Sequence, residues 1–531
     1  MTANLPVPLV VGAGPVGLTM ACELARHGVR CRLVERAPER SRTSKALAIF
    51  PRTLEAFETM GFVDQILAQG HRLHGLSLHH RQEQIARIDL TSVASPFPFA
   101  LALPQSETER LLGEQLSRRG VEIERNVELT GFTHTTDAVR AVLRKADGQE
   151  EVVETPWLIG CDGAHSTTRH TLGMDFEGAQ YDESFILADV QLESSLALDR
   201  VHLFFGDDGV LGIIPFSTKR WRIVANIPPE SRAQILPEVT LPEVQELVDR
   251  RAAQGFQVSD PTWLSRFHIS HRKVRQFRQL RVFLTGDAAH IHSPAGGQGM
   301  NTGIQDAFNL AWKLALVVKG VAPAQLLASY HVERDPVASE VLNLTDRITR
   351  LATMRNSVAQ SVRDFLLPRV SGIDFVGDKI ADRLTELNVN YRKSPIVENH
   401  GGGRVKAGDR APDAELRDGN GQARRLFELF SQPRHALLLF LGPGKNAEGF
   451  RPTFNGLPDD LVESYRITRG RSEAEADLHD LSGLAHAAYG LMEGGIVLVR
   501  PDGYIGYRSN DFDSGKLQGY LSRTLGTVVR S

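Results

Sequence analysis

PLVVGAGPVGLTMACELARHGVRCRLVE, residues 8–35, is the stretch around which the rest of the chain is organised. The apolar run Leu9, Val10 and Val11 reads as a buried parallel strand and passes at once into Gly12, Gly14 and Gly17. Each glycine answers a separate demand: a tight turn at Gly12, close approach of a pyrophosphate to the backbone at Gly14, and packing of helix on strand at Gly17. The spacing predicts a helix over residues 15–26, with Pro15 suited to its first turn and Gly28 as its stop. The start of such a helix offers free N–H groups and the positive end of the peptide dipoles to an anion. A second strand, residues 29–34, runs into Glu35, whose carboxylate suits a ribose diol and repels a 2′-phosphate. Strand, glycines, helix, strand and terminal acid within about 30 residues make a dinucleotide-binding βαβ unit.

The length of 531 residues allows several domains and an ample core. Lys plus Arg number 61 against 64 Asp plus Glu, so no basic field is present and nucleic acid is not an expected partner. Cys22, Cys31 and Cys161 have no metal-ligand spacing and are too few for a disulfide framework. No metal site is expected, and a reducing cytoplasm is the expected compartment. No run of about 18 apolar residues occurs, so no membrane span is expected.

After Glu35 come Arg36 and a basic segment with Arg42 and Lys45, which reads either as a reach toward a phosphate or as a solvated loop. Alternating segments over residues 71–90 read as strands, a helix begins at Leu103 and carries Gln105, and further strands follow at 121–129 and 138–145. WLIGCDGAHSTTRHTLG, residues 157–173, is a second strand-to-loop transition, with Asp162 and Gly163 in the turn and Ser166 or Thr167 as helix cap. Period-2 alternation with aromatics over residues 180–261 indicates an antiparallel sheet. Phe204, Phe216 and Trp221 on that sheet either line a pocket for a flat apolar ligand or fill a sheet core. RVFLTGDAAHIHSPAGGQGMN, residues 281–301, is a short strand leading to Gly286 and Asp287. Pro294, Gly296, Gly297 and Gly299 then expose backbone before a helix from about residue 300 to 318. Two glycine-rich loops, each leading into a helix start, suit one long cofactor held at both ends. His290 and His292 beside the second loop read as general bases or as packed side chains. Residues 330–371 read as helical, 391–407 as a linker with Pro395 and three glycines, and 408–531 as a small α/β domain.

Three separated motifs now stand together: GAGPVG with Glu35, CDGAHS at residues 161–166, and GDAAH at 286–290 followed by P-x-x-G-x-G-x-N at 294–301. In order and spacing they resemble the class A flavoprotein aromatic monooxygenases, the relatives of para-hydroxybenzoate hydroxylase and phenol hydroxylase, over residues 7–390. The tail opens with GDRAPD at residues 408–413 and is similar to the thioredoxin-like domain of phenol hydroxylases and aromatic polyketide hydroxylases. The implied fold is α/β. It has a Rossmann-like FAD-binding domain of the para-hydroxybenzoate hydroxylase type (residues 1–178 and 270–390, contributing strands near 71–105), an interleaved antiparallel-sheet substrate domain (179–269), and a thioredoxin-like C-terminal domain. By position the resemblance implies that Gly12, Gly14, Pro15, Val16 and Gly17 hold the FAD pyrophosphate, with Glu35 on the adenosine ribose and Arg36 beside it. Lys45, Ala46 and Gln105 fall near the ribityl and isoalloxazine groups, and Asp162 and Gly163 in a turn serving FAD and NAD(P)H. Asp287 falls on the ribityl chain, Gly297, Gly299, Met300 and Asn301 at the pyrimidine edge, and the Pro294 carbonyl near the reactive flavin carbon.

The implied activity is hydroxylation of a phenolic aromatic, with a polycyclic polyketide-like substrate favoured over a small benzoate. The expected route is a flavin C4a-hydroperoxide, with O2 as co-substrate and NAD(P)H as transient donor, since one fingerprint serves one adenine dinucleotide. The same fold admits a Baeyer–Villiger or antibiotic-modifying oxygenase, or a flavin oxidoreductase that makes no use of O2. The tail holds no cysteine, so dithiol chemistry is excluded there, and packing or homodimer contacts are the roles left open to it.

Overall fold

The computed structural model describes residues 7–43, 46–80, 83–206, 208–227, 238–252, 255–293, 296–352, 381, 383–442, 457–470 and 477–526. The helices that bear on the site are α1 (Pro15–Arg26), α2 (Pro51–Thr59), α3 (Gln105–Arg118), α4 (Leu241–Arg251), α5 (Gln298–Val318), α6 (Ser329–Ala352) and α7 (Ser514–Leu525).

Leu9–Val11 is a central strand of a six-stranded sheet. It pairs in parallel with Arg32–Glu35 on one side and Leu158–Gly160 on the other, and Val282–Leu284 continues beyond the latter. A strand covered on both faces reads as a continuous apolar run, which is why LVV shows no alternation. The second strand begins at Arg32 and not at Val29. Gly28 is left-handed (φ 72°), and the Val29 N–H bonds back to the Leu24 carbonyl, so these residues still close the helix. Helix α3 likewise begins at Gln105 and not at Leu103, because the Leu103 N–H is taken by the Leu47 carbonyl. Helix α5 is buried along nearly its whole length, and its apolar residues pack with α1 in one core. It starts at Gln298, two residues before the expected start, with left-handed Gly297 (φ 67°) as its N-cap.

The larger sheet has eight strands in the order His290–Ile291, Gln257–Lys273, Glu177–Glu193, Arg220–Ile227, Gly209–Pro215, Arg200–Gly206, Gly75–His80, Glu83–Asp89. Its pairings are antiparallel except that Arg200–Gly206 runs parallel to Gly75–His80. The alternation over residues 180–261 hides one helix, α4, capped by the Thr240 hydroxyl and carrying the stripe Val244, Leu247 and Val248. Beneath α4 the sheet presents Ile186, Phe204, Leu211, Ile213, Trp221 and Ile223. Its other face presents Val201, Leu203, Phe205, Val210, Ile214 and Phe216 to Leu47, Phe50, Ala100, Ala102 and Leu387. Of the two readings open for Phe204, Phe216 and Trp221, a shared pocket or a sheet core, the shared pocket is corrected. Phe204 and Trp221, each 2 % exposed, fill the core under α4, and only Phe216 lies on the face toward residues 46–50. Successive strand side chains point to opposite faces, so a shift of one residue exchanges the two sets.

The tail forms a mixed sheet of eight strands whose centre, His435–Leu441, runs parallel to Val462–Thr468 and antiparallel to Gly495–Val499. Its edge strand Glu398–His400 falls inside residues 391–407, so the expected linker is not a loose spacer. Tyr391 there is buried and its ring lies 4.2 Å from that of Tyr504. Trp312 and Leu316 of α5 join Leu437, Leu498, Tyr520 and Leu521 in a single core, so the tail and the nucleotide-type domain share buried surface.

Candidate cofactor and substrate site

The first glycine loop is tight where the sequence requires closeness and open where it requires access. At Gly12 (φ 100°) an added Cβ would stand 2.5 Å from the Cys161 carbonyl oxygen, and at Gly17 it would stand 1.8 Å from that of Gly12. At Gly14 it would meet nothing within 4 Å. Pro15 is the first residue of α1, and Gly14 is its extended N-cap without a side-chain partner. Glu35 sits at the lip of this turn, where Oε2 accepts the Ala13 N–H at 2.7 Å and Oε1 the Ala37 N–H at 2.9 Å. Arg36 beside it is exposed. Asp162 and Gly163 abut the same loop through Cys161. The Asp162 carboxylate accepts from the Ser166 hydroxyl and from the Thr168 N–H and hydroxyl, which holds the turn in shape, and Ser166 rather than Thr167 is the helix cap.

The second glycine loop meets the first through Val16. A Cβ on Gly286 would lie 2.8 Å, and one on Gly303 2.7 Å, from Val16 Cγ2, so the loop after Val282–Leu284, the start of α1 and the first turns of α5 interlock on one side chain. Asp287 is exposed on the short 3-10 turn Gly286–Ala288. Gly299, in the first turn of α5, faces nothing within 4 Å. Met300 and Asn301 are buried. Asn301 Oδ1 accepts the Phe50 N–H at 2.9 Å, and Nδ2 donates to the Ala48 and Gly297 carbonyls. Ala46 is brought against Gln105, whose N–H bonds to the Ala46 carbonyl at 3.1 Å and whose side chain donates to Glu109. Lys45 and Pro294 lie outside the described residues.

These contacts bring the start of α1 with Glu35, the turn at Asp162, Gly286, the start of α5, residues 46–50 and Gln105 into one rim, with two helix starts that each carry a glycine facing open space. That arrangement fits an elongated ligand with an anionic centre and an electron-rich end. Among the described residues no cluster of His, Cys, Asp and Glu could hold a metal ion.

The two histidines are packed. His290 Nδ1 lies 2.8 Å from His292 Nε2, and His290 Nε2 lies 2.6 Å from Asp306 Oδ2. Burial pushes the Asp306 carboxyl up, but Arg334, donating to Oδ1 at 2.6 Å, and His290 outweigh it and hold the group at about 2. Burial, with His290 adding to it, lowers His292 well below the usual imidazole range, so it is neutral at neutral pH.

Sequence reading missed a polar stripe on α5. Thr302, Asp306, Asn309 and Lys313, spaced i, i+4, i+7 and i+11, are all buried and hydrogen-bonded, and this recurrence inside an apolar helix was the available signal. Thr302 donates at 2.7 Å to Glu386, a buried residue in the left-handed region (φ 59°) whose carboxyl is pushed by burial up to about 7. Also missed was the Arg222–Asp189 pair, bidentate at 2.8 Å on the sheet face opposite α4.

Residues 5–345 match the FAD binding domain family, and residues 405–528 match the family described as aromatic-ring hydroxylase, C-terminal. The chain is 37 % identical over 513 residues to 6-methylpretetramide 4-monooxygenase of Streptomyces rimosus, covering 95 % of this chain and 90 % of that protein. Among solved structures, the anhydrotetracycline hydroxylase of Streptomyces rimosus superposes with a TM-score of 0.79 at 29 % identity, covering 98 % of this chain and 99 % of the other. An aklavinone-11 hydroxylase solved with FAD and aklavinone also gives 0.79, at 25 % identity, covering 99 % of this chain and 100 % of the other.

Proposed function

The chain belongs to the FAD-dependent aromatic-ring hydroxylases, and we propose that it hydroxylates a polycyclic phenol of the aromatic polyketide type, with NAD(P)H as transient donor. It is an FAD-dependent aromatic monooxygenase. The observation that carries the proposed site is the interlock of the two glycine loops on Val16, which leaves Gly14 and Gly299 facing open space.

The residues fit FAD by that geometry. The start of α1, from Gly12 through Gly17, offers N–H groups and dipole to the pyrophosphate. Glu35 takes the adenosine ribose, with Arg36 beside it and Asp162 and Gly163 closing the turn against Cys161. Ala46, Gln105 and Asp287 attend the ribityl end, and the first turn of α5, from Gly297 through Gly299 and Met300 to Asn301, the pyrimidine edge. Bound FAD supplies the redox chemistry, accepting hydride and activating O2 for transfer to the ring. The chain's own contribution is to exclude water and to orient the substrate. The apolar face of Leu203, Phe205, Ile214 and Phe216 stands toward residues 46–50 and supplies a dry wall for a flat aromatic. No general base is assigned among the histidines, because His290 and His292 are committed to each other and to Asp306. Residues 1–178 with 270–390 serve the cofactor, 179–269 the substrate, and the tail buttresses the cofactor part. The polyketide preference is supported by relatives named for 6-methylpretetramide, anhydrotetracycline and aklavinone.

The test is NAD(P)H and O2 consumption by FAD-loaded protein against mono- and polycyclic phenols, with product mass. A product carrying one added oxygen from a polycyclic phenol is the expected result. Equal turnover of simple phenols overturns the substrate class, and NAD(P)H oxidation without oxygen incorporation across the panel overturns the reaction.

A further inference from the structure

The turn between Gly495–Val499 and Ile505–Ser509, residues 500–504, is closed by Arg500 N–H to the Tyr504 carbonyl and Gly503 N–H to the Arg500 carbonyl. This tip is buried in the body of the chain. Arg500 grips Glu333 of α6 with both Nη atoms, at 2.7 and 3.0 Å, and also pairs with Asp502. Glu333 in turn accepts from Lys313 at 2.6 Å and Asn309 at 2.7 Å, both on α5. The Asp502 carboxylate accepts from Trp312 of α5, and its carbonyl accepts from Arg52 of α2 at 2.6 Å. Arg52 lies two residues beyond Phe50, the residue held by Asn301, and its carbonyl accepts from Gln305 of α5.

A buried ion pair is weak evidence for stability, because apolar replacements of similar volume often do as well. What a bidentate guanidinium–carboxylate pair adds is fixed direction. Here the bidentate pair joins the tail to α6 and, through Glu333, to Asn309 and Lys313 of α5, while the Asp502 carbonyl holds Arg52, whose segment Ala46 to Arg52 is held in turn by Asn301 and Gln305 of α5 at the far end of the rim. We propose that Arg500 and Asp502 are positioning residues for the flavin: the tail's hairpin tip sets α5 against the start of α2, and so sets the isoalloxazine end of the cleft. The proposal rests on the assignment of Ala46 and Gly297 to Asn301 to that end.

The test uses the full chain with Arg500→Met/Glu333→Met, which removes both charges together, alongside Arg500→Lys and Asp502→Asn. The readouts are hydrogen exchange of residues 46–52 and 297–305 in FAD-free protein, FAD dissociation constant, and visible circular dichroism of the bound flavin. Expected for the double variant are faster exchange in both segments, affinity weaker by about 10-fold or more, and a flavin spectrum moved toward that of free FAD, with partial rescue in Arg500→Lys. A merely structural role lowers the melting temperature while exchange at 297–305 and the flavin spectrum stay at parent values, and that result overturns the proposal. If the double variant does not fold, Arg500→Lys, which keeps the charge and loses the two-pronged grip on Glu333, carries the same readouts with the same two outcomes. Failure of the parent chain to bind FAD refutes the cofactor assignment alone, since the exchange arm reads the coupling without it.

Discussion

Gly17 packs directly over the carbonyl of Gly12, so that a Cβ at position 17 would stand 1.8 Å from the Gly12 oxygen, while Gly14 between them faces nothing within 4 Å. The two glycines therefore separate folding from binding. Gly14→Ala is tolerated by the backbone (φ −73°, ψ −176°), and the melting temperature of the FAD-free protein is expected to stay near the parent's. FAD affinity is expected to drop by about 10–100-fold, or ~1.4–2.8 kcal/mol, because the methyl occupies the space the pyrophosphate needs. Gly17→Ala has no such room and should cost about 1–3 kcal/mol or more in stability before any ligand is added. Equal melting temperatures for the two variants would count against this division.

Glu386 gives a pH dependence whose sign is fixed by its environment. Burial raises its carboxyl from 4.5 to about 7, against the hydrogen bond from Thr302 and the charges of Arg334 and Arg52, with Asp306 adding to the rise. Between these values the unfolded chain releases a proton that the folded chain keeps, so this group's contribution to stability falls as pH rises from about 4.5 to 7 and is level above, by on the order of 3 kcal/mol. Glu386→Gln keeps an acceptor for Thr302 and cannot ionise. Its melting temperature relative to the parent should climb between pH 5 and 7 and then stay flat, and a relative melting temperature that falls over that range would reverse the sign.

His292 is neutral at neutral pH and is held against His290. Turnover of His292→Ala is expected to change by one common factor from pH 6 to 9, with the shape of the pH–rate profile retained. A limb lost from that profile would make His292 an acid or base in the reaction.

Phe204 and Phe216 should part company on mutation. Phe204 stacks on His79 at 4.4 Å between ring centroids and belongs to the core under α4, so Phe204→Ala is expected to cost about 3–5 kcal/mol while the order of preferred substrates is kept. Phe216→Ala lies on the opposite face and is expected to raise KM for polycyclic phenols with a smaller loss of stability. Melting curves and KM ratios over a phenol panel check both halves.

What could be read in advance was the chemistry carried by short, fixed spacings. Gly12, Gly14, Gly17 and Glu35 each answer a local steric or electrostatic demand, so the strand, helix and strand around them follow from the residues alone. Three things depended on distant partners. Which face of the large sheet Phe204 occupies turns on register, and a single residue reverses it. Helix α4 interrupts a stretch whose alternation reads as strands, although Thr240 and Glu243 make the T-x-x-E signature of a helix start. The grip of Arg500 on Glu333 joins residues 167 apart in sequence, and no local pattern announces it.

The chain closes its sheets late. Leu158–Gly160 waits for Val282–Leu284 before its second edge is covered, and Gln257–Lys273 waits for His290–Ile291. During synthesis on the ribosome the first half of the protein therefore emerges with open strand edges, which are templates for pairing with other chains. Neither layer is finished when residue 179 leaves the exit tunnel, and a gene divided there should yield two insoluble pieces, each displaying an edge that the other was meant to cover.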